Sequence, residues 1–354
     1  MKEKRIEKKQ LASLIEAIGE KYRVFAPVER GGHIRFCEVE NAGDVRLQDG
    51  NSKLPPKELF FPQVEKLLTM EEGNWREELC PDEKRVVFGL RPCDSRSLNL
   101  LDKVFLGMEF EDPYYLGRRK NTLIIALACN TPRLTCFCTA FDGGPFSEEG
   151  ADGMLFELEE SYLLKPLNSR GEELIQAFSD FFGDPKESDW TERDKLKQAA
   201  EEHIHSRLTL EKLEEKLGAH FDHPLWEEIY EKCLGCAVCT YLCPTCHCFD
   251  ITDEFGERIR SWDTCQFALF TLHASGHNPR PSGKERVRQR IMHKFSYCPQ
   301  NFGEIFCVGC GRCVGFCPVN LDIRLVIGQL SDLATETTET TETTETTEKG
   351  RKLS

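Results

Sequence analysis

Cys233-Leu-Gly-Cys236-Ala-Val-Cys239-Thr-Tyr-Leu-Cys243-Pro244 returns in spacing as Cys307-Val-Gly-Cys310-Gly-Arg-Cys313-Val-Gly-Phe-Cys317-Pro318. Both stretches read C-x2-C-x2-C-x3-C-P, the spacing that folds three thiolates around one [4Fe–4S] cube. Proline breaks the turn behind each fourth cysteine, so that cysteine points away and serves the other cube. One ligand set is therefore Cys233, Cys236, Cys239 and Cys317, and the other is Cys307, Cys310, Cys313 and Cys243. Paired C-x2-C most often holds tetrahedral zinc, but zinc needs four ligands in all and each run alone offers four. Disulfides suit cysteines this dense only in small secreted domains. The runs predict a mostly helical, two-cluster ferredoxin-like domain whose chemistry is electron transfer.

The rest of the composition narrows the class. The chain has 354 residues, room for about two cores, and 18 cysteines. Its formal charge of −14 argues against nucleic acid, because binding phosphate needs a basic face. The longest apolar run, near Leu123–Leu127, is too short to cross a bilayer. No apolar stretch follows the charged N-terminus, so no secretory signal is expected. Many clusters and no export signal imply an anoxic cytoplasm.

Upstream of the runs the pattern is that of an α/β domain, residues 1–183. Leu11, Leu14, Ile15, Ile18 and Tyr22 recur at helical spacing and predict a helix over 7–21. Strands are expected at Arg23–Val28 and His33–Val39 about the Gly31-Gly32 turn, and a short helix at Val64–Met70. Val86–Leu90 and Thr122–Ala128 read as strands buried on both faces. Met154–Leu167 alternates as strands, and Gly171–Phe182 reads as a helix. A charged helical connector is expected over 184–222, then the ferredoxin-like domain over 223–333 with an insertion at 244–306, where Phe249–Ile251 reads as a strand. The whole is an α+β chain. The tail of 334–354 is built on a perfect Glu-Thr-Thr repeat from Glu336 to Thr347, which has no apolar residue to repay ordering, and is expected to be disordered.

Four further cysteines form a set. Cys93 and Cys129 sit at the C-terminal ends of the two buried strands, the edge where cofactors bind in open α/β sheets, and Cys136-Phe-Cys138 follows in a loop. Four thiolates at one edge suit a third cluster, whereas ordinary buried cysteines are the bland alternative. Asp94 either replaces a thiolate or caps a helix starting at Ser95. Cys246, Cys248 and Cys265 are read as packing near the cubes, as redox-active groups or as lining the contact with a partner. His273, His277 and His293 are read as structural rather than metal-binding. Arg280, Lys284, Arg286, Arg288, Arg290 and Lys294 form a basic stretch in an acidic chain. Such cations raise the potential of an anionic cluster, or dock an acidic partner, or coat a solvated helix. No G-x-G-x-x-G or Walker loop is present, so no flavin or nucleotide is expected in this chain, and no nucleophile–base set marks a catalytic residue.

Beyond the runs, Arg91-Pro92-Cys93-Asp94, Cys136-Phe-Cys138, Cys243-Pro-Thr-Cys246-His-Cys248-Phe-Asp250, Trp262-Asp-Thr-Cys265 and His273-Ala-Ser-Gly-His-Asn-Pro-Arg280 carry a resemblance. From about residue 10 to 333 the chain resembles the iron–sulfur subunit shared by anaerobic sulfite reductases and sulfhydrogenases, the beta subunit of the latter. The resemblance implies a non-catalytic subunit relaying electrons between a partner carrying FAD and NAD(P) and a catalytic hydrogenase or reductase partner. It also implies iron at Cys93, Cys129, Cys136 and Cys138. The competing class is a stand-alone redox sensor or ferredoxin. The acidic charge and the lack of a helix-turn-helix speak against the first, and the sizeable α/β half against the second.

Overall fold

A computed structural model describes residues 2–333 except Asp49, Cys80, Met108, Arg207 and Thr209. The Glu-Thr-Thr tail thus lies outside the described residues. Two compact units emerge, and each is discontinuous in sequence. The first comprises Met1–His205, Thr240–Thr264 and Cys307–Arg312; the second comprises Ser206–Cys239, Cys265–Phe306 and the chain from Cys313 onward.

The first unit is built on a seven-stranded sheet of β1 (Lys4–Glu7), β2 (Arg23–Arg30), β3 (His33–Glu38), β6 (Arg85–Leu90), β7 (Thr122–Leu127), β8 (Gly153–Glu157) and β9 (Ser161–Pro166). Their order is β1-β9-β8-β7-β6-β2-β3. The inner strands β2, β6, β7 and β8 run parallel, and antiparallel strands close both edges. Residues of β6 and β7 alternate between two cores, as the two-residue period of a strand demands. Val86, Phe88, Ile125 and Leu127 pack with α1 (Leu11–Gly19) and, later in the chain, α4 (Ser169–Ala177). Val87, Leu90 and Ile124 pack on the other face with α2 (Pro92–Phe105) and α3 (Pro113–Lys120). Each of these buried aliphatics stabilises the fold by about 1.5–3 kcal/mol relative to exposure. The helix α5 (Glu187–Glu202) contributes Ala200, Trp190 and Leu196 to a third cluster around Met154 and Phe156.

The segment 64–70 departs from expectation. It is strand β4 (Val64–Glu71), paired with β5 (Asn74–Glu77) and with a hairpin of the insertion, β10 (Phe249–Glu254) and β11 (Glu257–Trp262). Val64 lies opposite Ser261 and Glu65 opposite Arg260. Its Glu, Lys and Leu content favours a helix locally, but strand propensity follows from what the neighbours offer, and here β11 and β5 supply both edges. Glu65 is buried because Arg118 at 2.8 Å and Arg260 at 2.9 Å satisfy its carboxylate. The helix expected over 171–182 is also shorter. Asn168 caps α4 by accepting from the Gly171 N–H at 3.1 Å, the helix ends at Ala177, and a 3₁₀ turn covers Ser179–Phe181.

The second unit is helical: α6 (Leu213–Ala219), α7 (Leu225–Glu231), α9 (Gly283–Met292), a π turn at His293–Tyr297, α10 (Cys298–Phe302) and a helix over 323–333. Ser282 and Glu285 form a capping box at the start of α9. Two short helices, α8 (Val238–Tyr241) and α11 (Arg312–Gly315), carry the third cysteine of each run. A sheet-rich N-terminal region followed by a largely helical C-terminal region matches the fold class read from the sequence. Among the described residues no helix is long and apolar enough to cross a membrane.

Candidate metal centres

In the second unit, Cys233, Cys236, Cys239 and Cys317 line one cavity, with Cys313 beside them. The set brings three thiols of the first run together with the last thiol of the second. Aliphatic side chains of Ile229, Val287, Ile291, Ile323 and Val326 make most of the wall, and Arg290 and Gln266 are its polar side chains. Two backbone amides donate to sulfur: Gly235 N–H to Cys233 Sγ at 3.4 Å and Leu321 N–H to Cys317 Sγ at 3.2 Å. Amides placed this way stabilise thiolate charge. Ala237 holds φ +63° between Cys236 and Cys239, a left-handed conformation that costs an alanine about 1–2 kcal/mol and turns the loop round the cavity. Burial raises the Cys233 thiol above its usual range, opposed by the Gly235 amide and by Arg290.

The basic stretch divides once folded. Lys284 pairs with Glu227 at 3.3 Å, while Arg288 pairs with Asp222 at 3.0 Å and stacks on Phe221. Arg286 donates to the carbonyls of Arg280 and Pro281, and buried Lys294 donates to the Phe306 carbonyl at 2.9 Å. Arg290, buried on α9, is the member that lines the thiol cavity.

The first unit holds a second cavity, lined by Cys93, Cys129, Cys136 and Cys138. Cys93 follows β6 on the first turn of α2 and Cys129 follows β7, so the parallel pairing of these strands sets their two thiols at one sheet edge. Cys136 and Cys138 arrive on a loop held by the second cysteine run. Phe137 N–H donates to the Gly309 carbonyl at 2.8 Å, and Asn51 Nδ2 donates to the Cys310 carbonyl at 3.0 Å. Gly309 and Gly311 make this approach possible. Gly309 has φ +62°, and a Cβ there would stand 2.4 Å from the Phe137 carbonyl carbon; Gly311, at φ +73°, would strike Thr135 at 2.6 Å. Arg91 and Arg133 also line the cavity. Arg91 donates to the carbonyls of Gly50 and Ala128 at 3.0 and 2.9 Å, and Arg133 to that of Asn51 at 2.9 Å. Burial pushes the Cys136 thiol up to about 11 and the Cys138 thiol up to about 12, with neighbouring cysteines adding to both. It also raises Cys93 and Cys129. Four thiols that resist ionisation together suit a cationic core that binds them as thiolates.

Of the remaining run cysteines, Cys243, Cys307 and Cys310 belong to the first unit and Cys313 to the second. Cys243 is buried with Thr245 Oγ1 3.2 Å from its sulfur.

Asp94 takes neither expected role. The helix begins at Pro92 with Arg91 as its N-cap, and the Asp94 carboxylate accepts both terminal nitrogens of Arg312, at 2.7 and 2.9 Å. Sequence reading missed Arg312 because nothing local links it to a residue so far back in the chain; its place between Cys310 and Cys313 was the available signal. The Cys246 carbonyl accepts from buried Lys57, which also sits over the Trp262 ring at 4.1 Å, and the Cys248 carbonyl accepts from the Asp263 amide. Cys265 is buried in the second unit beside Gln266. The rings of His273 and His277 meet edge-on at 5.5 Å on an exposed loop, and His293 is held in the π turn.

Among the described residues no three His, Cys, Asp or Glu groups gather closely enough to hold a single ion. Tetrahedral zinc wants its sulfurs about 3.8 Å apart, given bonds of about 2.3 Å, whereas thiols spread round a cavity suit the larger body of a cube.

Residues 232–321 match the family model described as a 4Fe-4S dicluster domain, which makes this an iron–sulfur protein. Over 315 residues the chain is 33% identical to sulfhydrogenase 2 subunit beta of Pyrococcus furiosus, covering 88% of this chain and 92% of that one. The chain belongs to the family of sulfhydrogenase beta subunits.

Proposed function

We propose that this chain is the electron-relay subunit of a multi-subunit oxidoreductase of hydrogenase or sulfur-reductase type. It passes electrons between a partner that binds FAD and NAD(P) and a catalytic subunit. One [4Fe–4S] cube is assigned to Cys233, Cys236, Cys239 and Cys317, a second to Cys307, Cys310, Cys313 and Cys243, and a third cluster to Cys93, Cys129, Cys136 and Cys138. The observation that carries the reading is the lining of one apolar cavity by thiols from both runs, with amide donors on two of the sulfurs. Membership of a family named for a hydrogenase subunit supports the complex.

Bound clusters supply one-electron reduction and reoxidation with little rearrangement of their ligands. The protein does the rest. Aliphatic walls exclude water from the first cavity, the Gly235 and Leu321 amides offset sulfur charge, and Arg290 favours the electron-rich state. The assignment is tested by iron and acid-labile sulfide quantitation with electron paramagnetic resonance on anaerobically prepared protein. Cys239→Ala should lower iron by about four atoms per chain while a flavoprotein still co-purifies. Unchanged iron rejects the ligand set, and the absence of any flavoprotein in material from the native cell rejects the relay.

A further inference from the structure

We infer that the buried Asp94–Arg312 pair is a charge clamp that keeps Arg312, the cation of the second cysteine run, from raising the potentials of the clusters that take Cys93 and Cys310. The inference rests on the ligand sets proposed above. Arg312 lies between Cys310 and Cys313, and Asp94 directly follows Cys93. Their side chains are 0% and 1% exposed. The guanidinium is fully committed: two nitrogens reach the Asp94 carboxylate at 2.7 and 2.9 Å, and Nε donates to the Ser52 carbonyl at 2.8 Å.

A buried ion pair is a poor way to gain stability, because the desolvation of both ions offsets their attraction, and an apolar pair of the same volume often does as well. Its position suggests a different use. The wall of the Cys93, Cys129, Cys136 and Cys138 cavity is completed by Gly309 and Cys310, and the Cys136 thiol lies 3.8 Å from the Cys310 carbonyl oxygen. One pair thus stands beside the candidate ligands of two centres, Cys93 for one and Cys310 for the other. An arginine cannot shed its proton in a protein, so an unpaired guanidinium here would favour the electron-rich state of both. Asp94 cancels that field at its source, and the fork geometry fixes the frame of α2 against the Gly309–Arg312 loop. Asp94 and Arg312 are positioning residues. Neither lines the thiol cavity.

Potentiometric titration followed by electron paramagnetic resonance, on the anaerobically purified full chain, tests the clamp. Asp94→Asn leaves the guanidinium uncompensated, so the midpoint potentials of the adjacent centres should rise while iron per chain stays constant. Adding Arg312→Gln to Asp94→Asn removes the remaining charge and should return both potentials toward the parent value. A purely structural role moves the single and double variants in the same direction, so that result overturns the clamp, as does an unshifted Asp94→Asn. If the double variant loses iron, Asp94→Asn alone decides, with Asp94→Glu as the control that keeps the charge and the parent potentials. The ligand reading fails differently: iron and spin counts that match two clusters rather than three remove the centre at Cys93. The potential shift is then sought only in the cube that takes Cys310.

Discussion

The cavity of Cys233, Cys236, Cys239 and Cys317 draws three of its thiols from one short loop, whereas that of Cys93, Cys129, Cys136 and Cys138 gathers its thiols from two strand ends and a loop. The first is walled by aliphatic side chains, with Arg290 as its cation; the second faces Arg91, Arg133 and Asn51. The contrast shows two routes to the same donor set. Local spacing can fold thiols round a core directly, and a parallel sheet can deliver them by aligning the ends of neighbouring strands. The second route depends on every contact that holds the sheet and the loop, and so it should break more easily under mutation of residues that carry no sulfur.

The largest expected effect is on iron. Cys317→Ala and Cys129→Ala should each remove about four iron atoms per chain, and the losses should add in the double variant. Iron loss from Cys317→Ala alone would reduce the N-terminal set to ordinary buried cysteines and end the comparison. Next comes Gly309→Ala. A methyl group 2.4 Å from the Phe137 carbonyl carbon, on a residue at φ +62°, should cost on the order of 2–4 kcal/mol of stability, read as a lowered unfolding midpoint. Chelator attack should then strip iron from the Cys93 set sooner than from the Cys233 set.

The smallest effect sharpens the contrast from the other side. His293, half-buried in the second unit, is pushed down to about 4 by desolvation and by the nearby Lys294 and Arg280 charges. Its folded pKa lies below the value of about 6.5 in an unfolded chain, so the unfolded state takes up the proton first as pH falls. The stability linked to neutral His293 is complete above about pH 6.5 and is lost as pH drops toward 4. Unfolding at pH 5 and pH 7 should differ by about 2 kcal/mol from this group, and His293→Gln should flatten that difference. An unchanged pH dependence in His293→Gln assigns the effect to another group.

Much was legible in the sequence, and the misses have a common cause. The central strands β6 and β7 announce themselves because strands buried on both faces are continuously apolar. The segment at Val64 does not, since its residues favour a helix until β11 and β5 flank it. Asp94 looked like a ligand or a cap because its partner, Arg312, is remote in sequence. The basic stretch read as one patch, yet its members separate into ion pairs with Asp222 and Glu227, carbonyl contacts, and one arginine at the thiols.

By itself the sequence determined the two cysteine runs, the continuously apolar central strands and the family. All of these live in short-range spacing, where residue separation along the chain translates directly into geometry. The folded chain alone decided which residues stand around the N-terminal thiols, why Gly309 and Gly311 must be glycine, and where the charge of Arg312 ends. Those facts arise from contacts between distant segments, whose partners no local pattern encodes.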